Sequence, residues 1–254
     1  MITPRTRRLL LPLTALGAAA ALAAGCGGSD SEAPDVGAVS AAPQDSGAGG
    51  QPAVDPAQAA EEAEGGEAAG TSFAYLEGLP QSGAQLGDPS APVELVEFGD
   101  FLCSFCARFS TETLPGLVDR HVRGGTVRVA YSPVAFYGED SERGALGAIA
   151  AGRQDRMWQF VEAVFAQQGS YPGDFLSEEH LRETAREVGL DVARWERDFT
   201  SDVVGEEFLR GLADAQSAGV QGTPTFLLRG PSDALLIPGA LPAEEFDEAI
   251  ARVS

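Results

Sequence analysis

Cysteine and histidine are scarce in this chain, and their scarcity excludes several kinds of site. The 254 residues contain three cysteines and two histidines. A structural zinc site needs four ligands, and beyond the pair Cys103 and Cys106 the candidates are His121 and His180, which lie in different predicted helices. We therefore predict no metal site and interpret both histidines as surface residues. Because Cys26 is the remaining cysteine, we predict no structural disulfide in the folded domain.

Lysine and several common functional motifs are absent as well. All basic residues are arginines, which we attribute to genome composition and not to function. The sequence has no phosphate-binding loop, no serine triad and no flavin motif, and Trp158 and Trp195 are interpreted as core residues of predicted helices. A net charge of −21 argues against nucleic acid as a partner and against direct adhesion to anionic lipid.

The N-terminal residues have the order of an export signal. Three arginines within the first eight residues precede an apolar stretch over residues 9–24. A charged region, a short apolar region and small residues at its end are typical of such signals, and the stretch is short for a transmembrane span. The adjacent Arg7 and Arg8 also suggest twin-arginine export, so the export route stays open.

Residues 22–26, with the sequence Leu-Ala-Ala-Gly-Cys, resemble a bacterial lipobox, in which the cysteine is lipidated. We therefore predict an export signal over residues 1–25, a lipid anchor at Cys26 and a location on the extracytoplasmic face of the cell membrane. The alternative is ordinary cleavage near an incidental cysteine.

The composition changes after this segment. Residues 27–70 contain no aromatic residue, no leucine or isoleucine and no basic residue, but nine acidic ones. Such a segment cannot bury enough apolar surface to offset the entropy of ordering, and its like charges favour an extended chain. We predict a disordered acidic tether over residues 26–72 and one folded domain over residues 73–254.

Two strands and a helix are predicted in the first half of this domain. Residues 93–98 and 126–131 have the composition of strands, and residues 103–123 form a predicted helix between them, with a possible kink at Pro115. Because strands joined by a helix are parallel neighbours, this half is a predicted β-α-β unit.

The second half is predicted to be helical and then to return to strands. Helical spacing and capping residues predict an insertion over about residues 138–219. Residues 225–229 and 234–237 flank a Gly-Pro-Ser-Asp turn and predict an antiparallel hairpin, followed by a helix over residues 242–253. The order β-α-β, helical block, β-β-α is that of an α/β thioredoxin fold with a helical insertion.

The motif Cys103-Ser104-Phe105-Cys106 follows the first strand and opens the helix. A helix N-terminus presents unpaired N–H groups that stabilise a thiolate on the first cysteine. Two intervening residues bring the second sulfur close enough for a disulfide. The same spacing also forms half of many zinc sites, so the motif by itself leaves both chemistries open.

Residues 85–252 resemble the DsbA-like family of bacterial thiol–disulfide oxidoreductases. The resemblance is carried by residues 91–106, which lead from Ala-Pro-Val into the cysteine motif, by residues 219–226 (Gly-Val-Gln-Gly-Thr-Pro-Thr-Phe), and by the helical insertion between them. In this family the second segment corresponds to a loop that contains a cis-proline. The position of Ser104 is the main departure, since the commoner pattern has proline there.

The resemblance implies a role for each residue of the site. Cys103 is expected to be the exposed nucleophile and Cys106 the resolving thiol, and Pro224 is expected to be cis, with the backbone of Thr223 available to an incoming peptide. Glu97 is expected to be a buried acid that exchanges a proton with Cys106, and the alternation of side chains along its strand also directs it inward; the alternative is a solvated residue at the sheet edge.

The residues between the cysteines suggest further properties. Ser104 and Phe105 include no histidine to add positive charge, so we expect a less extreme thiolate than in the strongest oxidases. Phe105 either supplies an apolar surface for unfolded clients or packs inward. Arg108 is interpreted as an exposed helix residue and Asp100 as a turn residue.

These observations predict an extracytoplasmic thiol–disulfide oxidoreductase that acts on cysteines of exported proteins. It needs no dissociable cofactor, because the cysteine pair carries the electrons. The expected partners are client proteins and a membrane redox protein that recycles the pair, and the expected state is a monomer. The alternatives are a membrane-tethered chaperone or adaptor and a copper carrier on the same fold; the copper carrier has wider cysteine spacing and a histidine partner. The direction of electron flow stays open.

Overall fold

A mixed β-sheet forms the centre of the computed structural model, which describes residues 73–171 and 173–254. Within these residues, six strands lie in the order β1-β2-β4-β3-β5-β6. The strands are β1 (Gln81–Ser82), β2 (Gln85–Leu86), β3 (Val93–Gly99), β4 (Val127–Pro133), β5 (Thr225–Arg229) and β6 (Ala234–Pro238). The predicted signal (1–25), lipid site Cys26 and tether (26–72) lie outside the described residues.

The pairing of the central strands confirms the predicted order. β3 and β4 are parallel, while β5 pairs antiparallel with both β3 and β6. The sequence prediction missed β1 and β2, because two-residue strands are too short to show an alternating pattern. They form a small antiparallel pair that extends the sheet beyond β4.

Helices cover the sheet and fill the segment between β4 and β5. The helices are α1 (Ser104–Arg108), α2 (Leu114–Leu117), α3 (Glu139–Gly152), α4 (Met157–Gln167), α5 (Glu178–Glu187), α6 (Val192–Phe199), α7 (Asp202–Ala218) and α8 (Ala243–Val253). The side chains of Ser177, Asp191 and Ser201 accept hydrogen bonds from backbone N–H groups three residues later and so begin α5, α6 and α7. Gly219, with φ of 82°, ends α7 in the left-handed conformation. In the described part of the chain, no helix has both the length and the apolar character required to cross a membrane.

The helix that follows the cysteine motif differs from the expected kinked helix. α1 continues through a π-helical turn (Phe109–Thr113) into α2, and a second π-helical turn (Val118–Val122) follows. Pro115 lies in the first turn of α2. Proline has no N–H to donate to the preceding turn. Because the wider π-helical turn ends before Pro115, the missing hydrogen bond falls where the next helical segment begins.

One face of the sheet carries the main core. The strand registers place Glu97 beside Tyr131 on β4 and Phe226 on β5, so these three side chains share that face. Phe226 packs against Phe109 and Phe246, with ring centroids 4.4 and 4.9 Å away. The core thus surrounds a row of three neighbouring side chains, one of which, Glu97, has a carboxyl group.

The two tryptophans are core residues, as predicted, since Trp158 and Trp195 are fully buried. The prediction of a surface position is wrong for His180, which is buried between the Tyr171 ring, 3.9 Å away by ring centroids, and the side chain of Gln167. The packing of α5 on α4 encloses this histidine, and sequence spacing alone could not show that contact.

Candidate active site

Cys103 occupies the N-cap position of α1, directly after the loop that leaves β3. Its carbonyl oxygen accepts hydrogen bonds from the N–H groups of Cys106 and Ala107, at 3.1 and 3.2 Å. The side chain is not exposed as predicted: Cys103 keeps 4% of its accessible surface. The Thr223–Pro224 loop lies against it, and the Cys103 Sγ is 3.2 Å from the carbonyl oxygen of Thr223.

The surroundings of Cys103 favour its thiolate. The hydrogen bond with the Cys106 thiol lowers the pKa of Cys103 to about 6, and the N–H groups of Cys106 and Phe105 act in the same direction. Burial acts in the opposite direction. The carbonyl of Thr223 can only accept a hydrogen bond and so favours the protonated thiol. The hydrogen-bond donors around the sulfur have the larger effect on its pKa. The pKa of about 6 lies between the values of about 3.5 and 7 found in strong oxidants and thioredoxin.

Cys106 lies one helical turn deeper and is fully buried. Burial raises its pKa, and the hydrogen bond that it makes with Cys103 and the nearby charge of Glu97 act in the same direction. Both cysteines are free thiols in this structure. The pair therefore consists of one sulfur prepared to be a thiolate and a second that keeps its proton.

The Thr223–Pro224 peptide bond is cis, as expected from the resemblance. Beside it is a groove with a volume of about 440 Å³, lined by the loop from Gly219 to Thr225 and by Leu236, Pro238 and Gly239 at the end of β6. The loop thus contacts the Cys103 sulfur on one side and lines an open groove on the other.

Glu97 points into the core, as the alternation along β3 predicted, and keeps 1% of its accessible surface. Its Oε1 has no hydrogen-bond partner among residues 73–171 and 173–254. A Cβ on Gly99 would lie 2.6 Å from the Tyr131 ring and 3.1 Å from this oxygen, so glycine allows the ring and the carboxyl to approach. Burial raises the pKa of Glu97, and the negative charges of Glu162 and Cys103 raise it further.

Asp100 is a buried residue that organises the loops around the motif. Its carboxylate accepts hydrogen bonds from the N–H groups of Leu102 and Phe136, at 2.9 and 2.7 Å, and from the Ser141 hydroxyl at 2.7 Å. These bonds connect the end of β3 to the loop before α3 and to the start of α3. The interpretation of Asp100 as a turn residue is confirmed, but its reach to a loop distant in sequence was not predicted.

Three exposed aromatic side chains lie near the cysteine motif. Phe105 projects from α1, and Phe136 and Tyr137 project from the loop that Asp100 holds. The thiolate charge of Cys103 raises the pKa of Tyr137. The Arg108 guanidinium lies 4.8 Å from the centroid of the Phe105 ring, so this exposed arginine stacks on the aromatic.

The sequence analysis also missed a second buried carboxyl, Glu162. It lies on α4 and accepts a hydrogen bond of 2.6 Å from the Ser110 hydroxyl. Burial raises the pKa of Glu162 to about 7, although the hydrogen bond from Ser110 favours its charged form. The available signal was a single acidic residue between Val161 and Ala163 in an otherwise apolar stretch, which is unusual for a solvated glutamate.

Comparisons with known proteins agree with this fold. A protein-family model described as Thioredoxin matches residues 81–251. The probable disulfide bond formation protein D of Bacillus anthracis is 31% identical over 149 residues, which cover 57% of this chain and 69% of that protein.

Solved structures give the same result. The thioredoxin-like oxidoreductase from Silicibacter pomeroyi DSS-3 is 30% identical, with a TM-score of 0.57, and the match covers 71% of this chain and 96% of that one. BdbD from Bacillus subtilis in its oxidised form has a TM-score of 0.60 at 22% identity, covering 68% and 96% of the two chains, and supports the fold.

Fold, dithiol and relatives together define a thioredoxin-fold enzyme that exchanges thiols and disulfides. Within that class, the chain belongs to the DsbA-like family of thiol–disulfide oxidoreductases, which includes the disulfide bond formation proteins. The predicted fold and enzyme class are therefore confirmed.

Proposed function

We propose that this oxidoreductase works outside the cytoplasm and uses Cys103 and Cys106 to donate disulfides to exported client proteins. The observation that carries the proposal is the pairing of a Cys103 thiol with a pKa of about 6 and a buried Cys106, beside the cis-proline loop. A stabilised thiolate favours the reduced pair, and so makes the disulfide form a better oxidant. The predicted export signal and the predicted lipid anchor at Cys26 support the location.

The reaction begins with a client thiolate that attacks the Cys103 sulfur of the enzyme disulfide. The bond between the two enzyme sulfurs breaks, Cys106 leaves with the electron pair, and the Glu97 carboxyl supplies its proton. The second client thiolate then attacks the client sulfur of the mixed disulfide and releases Cys103 as a thiolate. The client loses two electrons and the enzyme gains them, and a membrane redox partner removes them to restore the disulfide.

The structure suggests how a client is held during these steps. An extended client segment fits the groove beside Pro224, where the Thr223 backbone is available as an edge for pairing. Apolar client residues contact the exposed rings of Phe105, Phe136 and Tyr137, which we call the aromatic rim. Unfolded proteins expose apolar side chains, so this rim favours them over folded ones.

The reduction potential of the Cys103–Cys106 pair tests the proposal directly. Glutathione titration with an alkylation readout should give a value nearer the roughly −120 mV of strong oxidants than the roughly −270 mV of thioredoxin. A value near thioredoxin would instead indicate a reductase supplied with electrons across the membrane. Failure to form the disulfide at any glutathione ratio would contradict the redox role of this pair and favour a chaperone or adaptor.

The pH dependence of alkylation should separate the two thiols. In the reduced protein, iodoacetamide should modify Cys103 with a half-maximal rate near its pKa of about 6, because the thiolate is the nucleophile. Cys106 should remain unmodified over the same range, since burial raises its pKa and restricts access. Mass spectrometry of the labelled peptides measures both; a Cys103 midpoint near the ordinary thiol value of about 8.5 would contradict the assignment.

Removal of the aromatic rim should weaken client binding without altering the thiol chemistry. The variant with Phe105→Ser and Tyr137→Ser is expected to raise KM for a reduced, unfolded protein about 5- to 10-fold, the effect of losing about 1 kcal/mol or more of contact energy. Its rate with a small-molecule dithiol should stay within about twofold, because no reacting group is lost. The matched control is Leu209→Ser, which removes an exposed apolar side chain from α7. Equal KM values for both variants would show that the rim does not bind clients.

A further inference from the structure

A buried carboxyl without a basic partner lies next to the redox site on the helical insertion. Glu162 keeps 6% of its accessible surface. In the described part of the chain, Glu162 accepts a hydrogen bond from the Ser110 hydroxyl, and no arginine or histidine contributes to its pKa. Burying a carboxylate in this way is costly, so a position that only needed to be filled would be better served by an apolar residue.

Glu162 is connected to the helix that carries the cysteines. Ser110 and Cys106 are both buried on the core side of that helix, and the Ser110 hydroxyl donates to Glu162 Oε1 at 2.6 Å. The connection uses the π-helical turn Phe109–Thr113, which contains Ser110 and packs against α4. The insertion therefore contributes a titratable group to the interior side of the dithiol.

Glu162 also interacts with Glu97. Its negative charge is the second cause, after burial, of the raised pKa of Glu97. Tyr75, from the short 3₁₀ turn Ala74–Leu76, is affected by both carboxyls, because burial and then the charges of Glu162 and Glu97 raise its pKa. The groups that face Glu162 are thus Ser110, Tyr75 and Glu97, from three separate elements. Two carboxyls in one dry site do not ionise independently.

We propose that Glu162 is a positioning residue for proton transfer at Cys106, and that its charge decides when Glu97 can accept or supply the Cys106 proton. While Glu162 is ionised, its charge keeps the proton on Glu97. When Glu162 takes up a proton from solvent, Glu97 releases its own proton to solvent and, as a carboxylate, accepts the proton of the Cys106 thiol: the S–H bond breaks, an O–H bond forms on Glu97, and the sulfur keeps the electron pair. This role rests on the proposed function, because Cys106 must be the resolving thiol.

The direct test is the titration of Glu97 in the full chain with Glu162→Gln. Glutamine keeps the volume of the side chain and can still accept the Ser110 hydrogen bond, so the fold should be retained. Carboxyl ¹³C NMR of the reduced protein should show the Glu97 midpoint shifted to lower pH by about one unit or more, the coupling at which two sites titrate as a pair. The control is Glu112→Gln, an exposed residue of the same π-helical turn as Ser110, which should leave the midpoint unchanged.

A kinetic measurement connects this shift to the reaction. In single-turnover resolution of a preformed mixed disulfide at Cys103, Glu162→Gln should move the pH of the half-maximal rate in the same direction as the Glu97 midpoint. Ser110→Ala, which removes the hydrogen bond that stabilises the Glu162 charge, should move the Glu162 midpoint to higher pH. Neither variant should change alkylation of Cys103 by more than about twofold, because that thiol does not need the proton.

The outcomes separate this proposal from the proposed function. An unchanged Glu97 midpoint in Glu162→Gln would overturn it, whether or not the wild-type chain exchanges disulfides. A shifted midpoint with an unshifted kinetic profile would overturn the role at Cys106. If the wild-type chain exchanged no disulfides at all, the proposed function would fail first, and the role of Glu162 at Cys106 would fail with it.

Discussion

Replacing Cys103 with serine is expected to lower the rate of disulfide exchange by about 10³-fold or more, the scale of loss when an enzyme loses its nucleophile. The reason is the position of this thiol: Cys103 lies at the N-cap position of α1, its thiol has a pKa of about 6, and its sulfur contacts the Thr223 carbonyl. Serine cannot form a mixed disulfide. The measurement is the oxidation of a reduced, unfolded protein, followed by counting its remaining thiols.

The Cys106→Ser variant is the matched control for that loss. It retains the proposed nucleophile but removes the proposed resolving thiol, so it should accumulate mixed disulfides that are visible on non-reducing gels. Both substitutions change one buried atom, so similar unfolding curves for the two variants would exclude a folding defect as the cause. Accumulation of mixed disulfides by Cys103→Ser instead would reverse the assignment of the two sulfurs.

Replacing Glu97 with glutamine is expected to raise stability at alkaline pH and to have little effect in acid. Burial raises the pKa of Glu97 in the folded state, so the folded chain holds the proton more tightly than the unfolded chain. Wild-type stability therefore falls as pH rises from the unfolded-state pKa of about 4.3 towards the raised folded-state pKa. Glutamine does not titrate and avoids this loss.

The expected gain for Glu97→Gln is about 1–3 kcal/mol in the free energy of unfolding near pH 8, the cost of an unsatisfied buried polar group, and close to zero near pH 4. Urea unfolding of the reduced protein at both pH values measures it. The control is Glu94→Gln on the other face of β3, where the carboxylate pairs with Arg128 and Arg229, each at 3.4 Å. That partly exposed pair should contribute less than about 1 kcal/mol. A pH-independent difference between wild type and Glu97→Gln would show that Glu97 does not titrate between the two states.

The two substitutions, Cys103→Ser and Glu97→Gln, also differ in their expected effects on activity and on stability. Loss of Cys103 should remove activity at little cost in stability, whereas Glu97→Gln should gain stability and lose proton transfer to Cys106. A gain of stability on removal of a buried carboxyl is the expected sign of a group retained for chemistry and not for folding.

Several parts of this arrangement were predictable from the sequence because they depend on local chemistry. The caps Ser177, Asp191 and Ser201 begin helices through bonds to residues three positions later. Alternation along β3 placed Glu97 on the inner face, since successive side chains of a strand point to opposite sides.

Other parts required contacts between residues that are distant in sequence. The burial of Cys103 depends on a loop 120 positions away, and the exposed position predicted for it considered only its own helix. The loop with Phe136 and Tyr137 is held by Asp100, 36 positions before Phe136. His180 and Glu162 are buried only because α4 and α5 pack against other elements, so their sequence neighbours did not reveal their environments.

The sequence by itself therefore determined the order of the four longer strands and the helices around them, the place of the Cys103–Cys106 motif at the start of α1 and the inward direction of Glu97, because periodicity, capping and motif spacing act over a few residues. The tertiary structure alone decided which groups surround those sulfurs. Thr223 lies against Cys103 because β5 pairs with β3, and Glu162 reaches the interior side of the site because the inserted helix packs on a π-helical turn. Proton affinities and client contacts depend on these distances, and distances between remote segments arise only when the chain packs into one core.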